Sequence, residues 1–183
     1  MNIIVAVDSE WGIGYQGDLL ARVKEDLRNF ARLTTGKTVI LGSNTLATFP
    51  GGRVLKDRRN IVLNPDPDYA PDGAIVAHSL EELFAKLKVL EAQGLRSEDI
   101  FVIGGASVYR QLLPYCERAY ITVFQRRFEK DVWFPNLEEL PEWSLAAESA
   151  LFHGNYRGAG GTEGELSFVF KEYVRKEGTV LPA

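Results

Sequence analysis

Cysteine and histidine are nearly absent from this chain. Its 183 residues include one cysteine, Cys116, and two histidines, His78 and His153. An intrachain disulfide needs two cysteines, and zinc sites draw on several cysteine or histidine ligands, so we expect neither a disulfide nor a metal site. No G-x-S-x-G motif accompanies the histidines, so nothing supports a serine hydrolase. Chemistry in this chain is therefore expected to depend on a bound organic cofactor.

An excess of basic residues and long apolar runs are also missing. The 21 basic and 25 acidic residues give a net charge of −4, which argues against a nucleic-acid or anionic-membrane binder. No apolar stretch approaches the ~20 residues of a membrane span, and the N-terminus lacks the basic region of a signal peptide. We expect a cytoplasmic, soluble monomer, with one domain over residues 1–177 and a tail over 178–183.

Short apolar runs alternate with helical patterns over the first 113 residues. The runs lack polar alternation, which is typical of strands buried on both faces of a sheet. Strands are predicted at Asn2–Val7, Thr38–Leu41, Asn60–Leu63, Ala74–Ala77 and Asp99–Ile103. Helices are predicted at Val23–Leu33, Asn44–Thr48, Leu80–Gln93 and Ala106–Leu113. This order indicates an α/β protein.

The pattern changes after Pro114, where no further helix is predicted. Strands are expected at Arg118–Phe124, Trp143–Leu151 and Leu166–Arg175, the last two forming a hairpin whose glycine-rich tip, Gly154–Gly164, is mobile. The predicted fold is a single α/β domain. It has a mostly parallel central sheet of about eight strands, an antiparallel C-terminal hairpin and four flanking helices.

One carboxylate breaks the amphipathic pattern of the first helix. On a helical wheel Asp26 lies between Leu33 and Phe30, inside the apolar arc that should face the protein. Its neighbour Glu25 can complement the helix dipole from the solvent side, so the dipole alone does not explain Asp26. Burial of an unpaired carboxylate costs several kcal/mol. A ligand edge with two N–H donors, as in pterins and pyrimidines, would pair with it.

Two strand–glycine–helix junctions and one glycine-rich loop are further candidates. Ile103–Tyr109 and Gly42–Thr45 each follow a predicted strand and open a helix, where backbone N–H groups can meet phosphates. Neither has the G-x-G-x-x-G spacing, and a packing role is equally open for each alone. The loop Trp11–Leu20 contains three glycines and is either a lid over the carboxylate or an ordinary surface loop.

In this order, the motifs resemble the dihydrofolate reductase family over nearly the whole chain. The matching pieces are G-I-G-Y-Q-G-D-L, E-D-L-R-N-F, T-V-I-L-G-S-N-T, R-R-N-I-V-L, F-V-I-G-G-A-S-V-Y, Y-I-T-V-F and D-V-W-F-P. The resemblance implies an NADPH-dependent oxidoreductase of one-carbon metabolism that reduces dihydrofolate to tetrahydrofolate. Hydride would pass from the nicotinamide to C6, and in the family a water delivers the proton to N5. Antifolate inhibitors would share the site.

The resemblance also implies roles for individual residues. Asp26, Thr122 and Tyr109 match the family's catalytic positions, with Asp26 on the pterin N3 and 2-amino group, Thr122 supporting it and Tyr109 beside the nicotinamide. Substrate-binding positions are Ile4, Val5, Leu19, Asp26, Leu27, Phe30, Phe49, Leu55, Ile103 and Arg58, the last as the clamp for the glutamate α-carboxylate. Cofactor-binding positions are Ala6, Ile13, Gly14, Gly17, Asp18, Gly42, Ser43, Asn44, Thr45, Leu63, Asn64, His78, Ile103, Gly104, Gly105, Ala106, Ser107, Val108 and Tyr109.

Several positions depart from the family pattern. Leu20-Ala21 stand where Pro-Trp is usual, and Ser43 where a basic residue is usual. The segment Asn64–Asp68 is acidic where a 2′-phosphate would bind, with His78 and Ser107 as partial compensation, so NADPH is expected while NADH stays open. One alternative is a pyrimidine reductase of riboflavin biosynthesis, disfavoured by the apolar Leu27, Phe30 and Phe49. The other is a non-catalytic pterin- or dinucleotide-binding module, disfavoured by Asp26.

Overall fold

Strands and helices alternate along the first part of the chain and strands alone follow, as a computed structural model of residues 1–176 shows. The tail predicted for residues 178–183 lies outside the described residues. The helices are α1 (Lys24–Thr34), α2 (Ser43–Ala47), α3 (Leu80–Ala92) and α4 (Ala106–Leu112). The strands are β1 (Asn2–Val7), β2 (Gly12–Tyr15), β3 (Asp18–Leu19), β4 (Ala21–Val23), β5 (Thr38–Gly42), β6 (Arg59–Leu63), β7 (Ala74–Ala77), β8 (Ile100–Gly104), β9 (Arg118–Phe124), β10 (Val132–Trp133), β11 (Trp143–Glu148), β12 (Phe152–Gly158) and β13 (Glu163–Arg175).

One large sheet organises the described residues. Its strand order is β4-β12-β13-β9-β1-β8-β5-β6-β7, with β11 also on β13. From β9 to β7 all neighbours are parallel, and from β9 to β4 they are antiparallel. Helices cover the parallel part, so β1, β5 and β8 are buried on both faces, as their uninterrupted apolar runs predict. The predicted fold class is confirmed.

The C-terminal hairpin differs from the prediction in one respect. The glycine-rich segment is not a mobile tip, because Phe152–Gly158 forms β12 and pairs with both β13 and β4. Only Ala159–Gly161 makes the turn. Glycine serves close packing here: a Cβ on Gly154 would lie 2.8 Å from Glu25 Oε2 and 3.3 Å from Phe168 Cε1. With β4 and β12 the described sheet has ten strands instead of about eight.

Candidate active site

The apolar face of α1 opens on a cleft instead of packing fully into the core. Thr34 is the one fully buried residue of this helix, and Leu27 is 47% exposed. Phe30 and Leu33 pack from the side against a core cluster. An amphipathic helix normally buries its apolar stripe. The exposed stripe of α1 therefore forms one wall of a cleft that a ligand can fill.

Asp26 lies in this cleft against the central sheet. Thr122 of β9 is 5% exposed, and its hydroxyl donates a hydrogen bond of 2.5 Å to Asp26 Oδ1. Burial raises the pKa of the Asp26 carboxyl to about 6, and the Thr122 hydrogen bond acts in the opposite direction. No cation pairs with Asp26 in the described part of the chain. The carboxyl therefore has bonding capacity left for a ligand.

Glu25 differs from its expected place on the solvent side of α1. It is half-buried, and its Oε2 is buried without a hydrogen-bond partner. The cause is β12, which the sequence did not reveal and which passes over the first turn of α1 at Gly154. The contribution of Glu25 to the helix dipole persists from this position, because the residue still lies in the first turn.

An apolar cluster joins five of the ten substrate residues implied by the resemblance, while Val5 lies in a different core cluster. Ile4 of β1 and Ile103 of β8 are buried in it, and Phe30, Phe49 and Leu55 pack against it half-buried. Phe30 lies on α1, whereas Phe49 and Leu55 follow α2, so the apolar surface is built from two separate segments. A flat apolar ring system fits such a surface.

Sequence reasoning did not assign several residues of this cluster to the site, Tyr120 and Val54 among them. Tyr120 and Val54 pack on the same buried core, and the Tyr120 ring centroid lies 5.9 Å from that of Phe101. Tyr120 stands two positions before Thr122 in β9, so both side chains point to the same face of the sheet. That period-two relation was a signal available in the sequence.

Arg58 lies beside Phe30, next to the C-terminal end of α1. Its Nε donates to Thr34 Oγ1 at 3.2 Å and its Nη1 to the Lys56 carbonyl at 2.7 Å, while its Cζ lies 6.0 Å from the Phe30 ring centroid. Partial burial lowers the pKa of this guanidinium. These contacts fix the side chain beside the apolar wall. A guanidinium held in this way can pair with a carboxylate, and the clamp role of Arg58 stays a prediction.

The two glycine junctions lie side by side at the carboxyl ends of β5 and β8. The backbone turns at Gly104, with φ +135°, and a Cβ on Gly105 would lie 3.0 Å from Thr45 Oγ1. Like α1, neither α2 nor α4 has a side-chain N-cap, whereas Ser79 caps α3. The first-turn N–H groups of both helices are therefore open to a ligand.

Tyr109 connects this junction to the carboxylate. It is almost fully buried, and its hydroxyl donates to the Ile4 carbonyl at 2.8 Å. Burial raises the pKa of the phenol far above its ordinary value, with a smaller contribution from the charge of Asp26. Tyr109 therefore stays neutral and holds β1 and α4 together beside Asp26.

Several cofactor residues implied by the resemblance form a second polar group further along the sheet. Asn64 Nδ2 donates to Ser43 Oγ at 2.8 Å, and the Asn64 carbonyl lies 2.9 Å from His78 Nδ1. Ser107 is exposed in the first turn of α4, with its Oγ accepting from Gln111. Val108, by contrast, is a core side chain, so only its backbone can face a ligand.

The glycine-rich loop is folded as a small antiparallel sheet. β2 and β3 form a hairpin around Gln16 and Gly17, both at positive φ, and β10 pairs with β2. The resemblance-implied residues Ile13 and Gly14 lie in β2, and Asp18 and Leu19 in β3. The segment is not an ordinary surface loop, because β10 supplies a partner strand from far along the chain. Its role as a lid stays a prediction.

A buried ion pair holds the base of this hairpin. Asp8 Oδ2 accepts from Lys130 Nζ at 2.7 Å and from the Phe128 N–H at 3.0 Å, and its Oδ1 accepts from the Gly12 N–H at 2.8 Å. The side chains are 0% and 6% exposed. These hydrogen bonds lower the pKa of Asp8 against the opposing effect of burial. The Asp8–Lys130 pair therefore anchors the start of the β2–β3 hairpin.

Leu20 and Ala21, the residues that replace the family's usual Pro-Trp, are both buried. Ala21 pairs with Gly158 through β4 and joins a cluster with Tyr156 and Phe168. A large side chain at Ala21 would meet this packed hairpin. The small side chain of Ala21 therefore fits the close approach of β12.

The fold and the site are those of an α/β enzyme of the reductase type, in which a carboxylate lies near two strand–glycine–helix junctions. The family model for dihydrofolate reductase matches residues 1–170, and the chain belongs to that family. A dihydrofolate reductase of Staphylococcus haemolyticus is 35% identical over 147 residues, covering 79% of this chain and 83% of that protein. One of Drosophila melanogaster is 36% identical over 151 residues, covering 75% and 80%.

A solved structure gives the same result. Dihydrofolate reductase from Enterococcus faecalis, complexed with NADP(H) and RAB-propyl, superposes with a TM-score of 0.76 at 30% identity and covers 96% of each chain. The family resemblance is confirmed, and neither the pyrimidine reductase nor the non-catalytic module is supported. No described helix is long and apolar enough to cross a membrane.

Proposed function

We propose that this chain reduces 7,8-dihydrofolate to 5,6,7,8-tetrahydrofolate with NADPH, and that Asp26 holds the pterin. The observation that carries the proposal is the carboxyl of Asp26, buried in an open cleft with Thr122 as its protein partner. The family supports both the activity and the cofactor. The bound NADP(H) of the Enterococcus faecalis relative adds support for NADPH.

The substrate's three parts match three parts of the cleft. The amidine edge of the pterin offers two N–H donors, which suit the Asp26 carboxylate. The ring systems lie between Phe30 on α1 and Phe49 and Leu55 opposite, with Leu27 at the mouth. The glutamate α-carboxylate pairs with Arg58, whose planar fork Thr34 already orients. Antifolates that present a similar amidine edge bind in the same place.

The residues at the two junctions fit a dinucleotide. Gly105 approaches Thr45 so closely that a Cβ would crowd its hydroxyl, and the uncapped first turns of α2 and α4 flank this cradle. NADPH, when bound, supplies the hydride that C6 of the pterin accepts. Tyr109 and Ile4 form the surface between cradle and carboxylate, so the two rings meet beside Asp26.

The protein's own contribution is mainly placement. Asp26 orients the pterin, and the apolar cluster excludes bulk water. Holding two reactants in contact accounts for several kcal/mol of barrier lowering. No described side chain is needed at N5, where a water delivers the proton. Residues 1–177 form the catalytic domain of a cytoplasmic monomer in this proposal.

Oxidation of NADPH at 340 nm with dihydrofolate tests the activity. We expect turnover on the order of 1–10³ s⁻¹ for the unmodified chain, a range typical of enzymes. Asp26→Asn should lower hydride transfer by orders of magnitude and leave NADPH affinity near normal. Absence of turnover in the unmodified chain would sink the proposal. Equal loss of cofactor binding in the variant would make Asp26 structural.

A further inference from the structure

Three polar residues join at the carboxyl ends of three neighbouring parallel strands. Ser43 follows β5, Asn64 follows β6 and His78 follows β7. Asn64 is the centre of the group, since its Nδ2 donates to Ser43 Oγ and its carbonyl meets His78 Nδ1, at 2.8 and 2.9 Å. All three residues are half-buried. Ligands of open α/β sheets bind outside such strand ends.

The strand order decides which part of a dinucleotide reaches this group. The reacting ring belongs beside Asp26, next to β1 and β8, where Tyr109 binds the Ile4 carbonyl. The sheet then continues β8-β5-β6-β7, and the cradle of Gly105 and Thr45 lies at β8 and β5. A dinucleotide that extends along these strand ends brings its adenosine ribose to β5 and β6. Its 2′ position therefore faces Ser43 and Asn64.

The charge of this group is unlike that of a phosphate site. Its three hydrogen-bonded members include no lysine or arginine, and the nearby Lys86 is paired with Glu82 at 2.7 Å. The Asp66 N–H donates to Asn64 Oδ1, which places a carboxylate residue next to the group. Phosphates are normally bound through charged guanidinium or ammonium donors. A 2′-hydroxyl needs only neutral partners such as the Ser43 hydroxyl and the Asn64 side-chain amide.

We propose that this chain accepts NADH as well as NADPH, because its adenosine 2′ site is a neutral hydrogen-bonding group of Ser43 and Asn64. The inference rests on the proposed function for the position of the cofactor. A neutral hydrogen bond changes affinity by about tenfold or less. The dissociation constants of NADPH and NADH should therefore differ by no more than about tenfold.

Calorimetric titration of the whole chain with NADPH and with NADH measures this ratio without turnover. Ser43→Arg should raise the preference for NADPH by about tenfold or more, since a charge-assisted partner now meets the 2′-phosphate. Ala150→Arg adds the same charge at an exposed position between β11 and β12 and should leave the ratio unchanged. Asp66→Asn should lower the dissociation constant of NADPH and leave that of NADH unchanged.

Two results would overturn the inference. The first is a preference for NADPH above about a hundredfold in the unmodified chain, which neutral hydrogen bonds cannot supply. The second is that Ser43→Arg changes the ratio of the NADPH and NADH dissociation constants no more than Ala150→Arg does, and that Asp66→Asn leaves this ratio unchanged as well. If both cofactors bind but dihydrofolate is not reduced with either, the proposed function fails and this inference stands.

Discussion

Replacing Asp26 with asparagine should stabilise the free protein while it removes activity. The Asp26 carboxyl keeps its proton up to about pH 6 in the folded protein, whereas its ordinary pKa is 3.8. Between these values the folded state binds more protons than the unfolded state, so stability falls as pH rises through this window. Each pKa unit is worth ~1.4 kcal/mol. Above pH 7 the ionised Asp26 carboxylate therefore lowers the free energy of unfolding by at most about 3 kcal/mol.

Urea unfolding of both proteins at pH 4.5 and pH 8 measures this cost. Any fixed effect of the amide, such as its altered bond to Thr122, is the same at both pH values and drops out. From the pKa shift, the free energy of unfolding of Asp26→Asn, relative to that of the unmodified protein, should rise by about 2 kcal/mol between pH 4.5 and pH 8. Asp72→Asn, which removes an exposed carboxylate, is the matched control and should show no such growth. An advantage that is equal at both pH values would refute the reasoning.

Three further substitutions test the remaining contacts. Arg58→Leu should raise KM for dihydrofolate about tenfold or more and change little for inhibitors without a glutamate tail, as steady-state kinetics will show. Thr122→Val should raise the pKa of Asp26 further, because the lost hydrogen bond favours the ionised form; a carbon-13 NMR titration of the aspartates detects this. Lys130→Met should destabilise the protein by about 3–5 kcal/mol in urea unfolding, since Asp8 remains buried without its cation.

Each of these has a result that would contradict it. The neighbouring exposed Arg59→Leu is the control for the clamp, and equal losses for folates and tailless inhibitors would exclude a role for Arg58 in tail binding. An Asp26 pKa that is unchanged or lower in Thr122→Val would show that the hydroxyl does not favour the ionised carboxylate. Lys130→Arg keeps the cation and should lose less stability than Lys130→Met, and equal losses in the two variants would contradict the ion-pair explanation.

Local pattern was sufficient for the parallel half of the sheet. β1, β7 and β9 have the predicted bounds, and α1 begins one residue later than expected. These elements bury continuous apolar runs or one helical stripe, and such periodicities are visible in the sequence. The same wheel identified Asp26, because a single charge in an apolar arc is a local signal.

Pairing between distant segments was not visible in the same way. β12 contains Gly154 and Gly158, and glycine weakens any strand pattern, yet pairing on two edges makes it a strand. The hairpin of β2 and β3 likewise depends on β10, more than a hundred residues away. Side-chain partners such as Lys130 for Asp8 follow from these pairings. Tertiary contacts, and not local composition, therefore determine that β12 and the β2–β3 hairpin form.

The central claim is that the Asp26 carboxylate binds the amidine edge of the pterin. Carbon-13 NMR of aspartate-labelled protein, with the Asp26 resonance assigned by Asp26→Asn, measures its titration with and without folate. In the free protein Asp26 should titrate near pH 6. In the complex it should stay ionised down to lower pH, because two N–H donors favour the charged form. An identical titration in both states would contradict the claim.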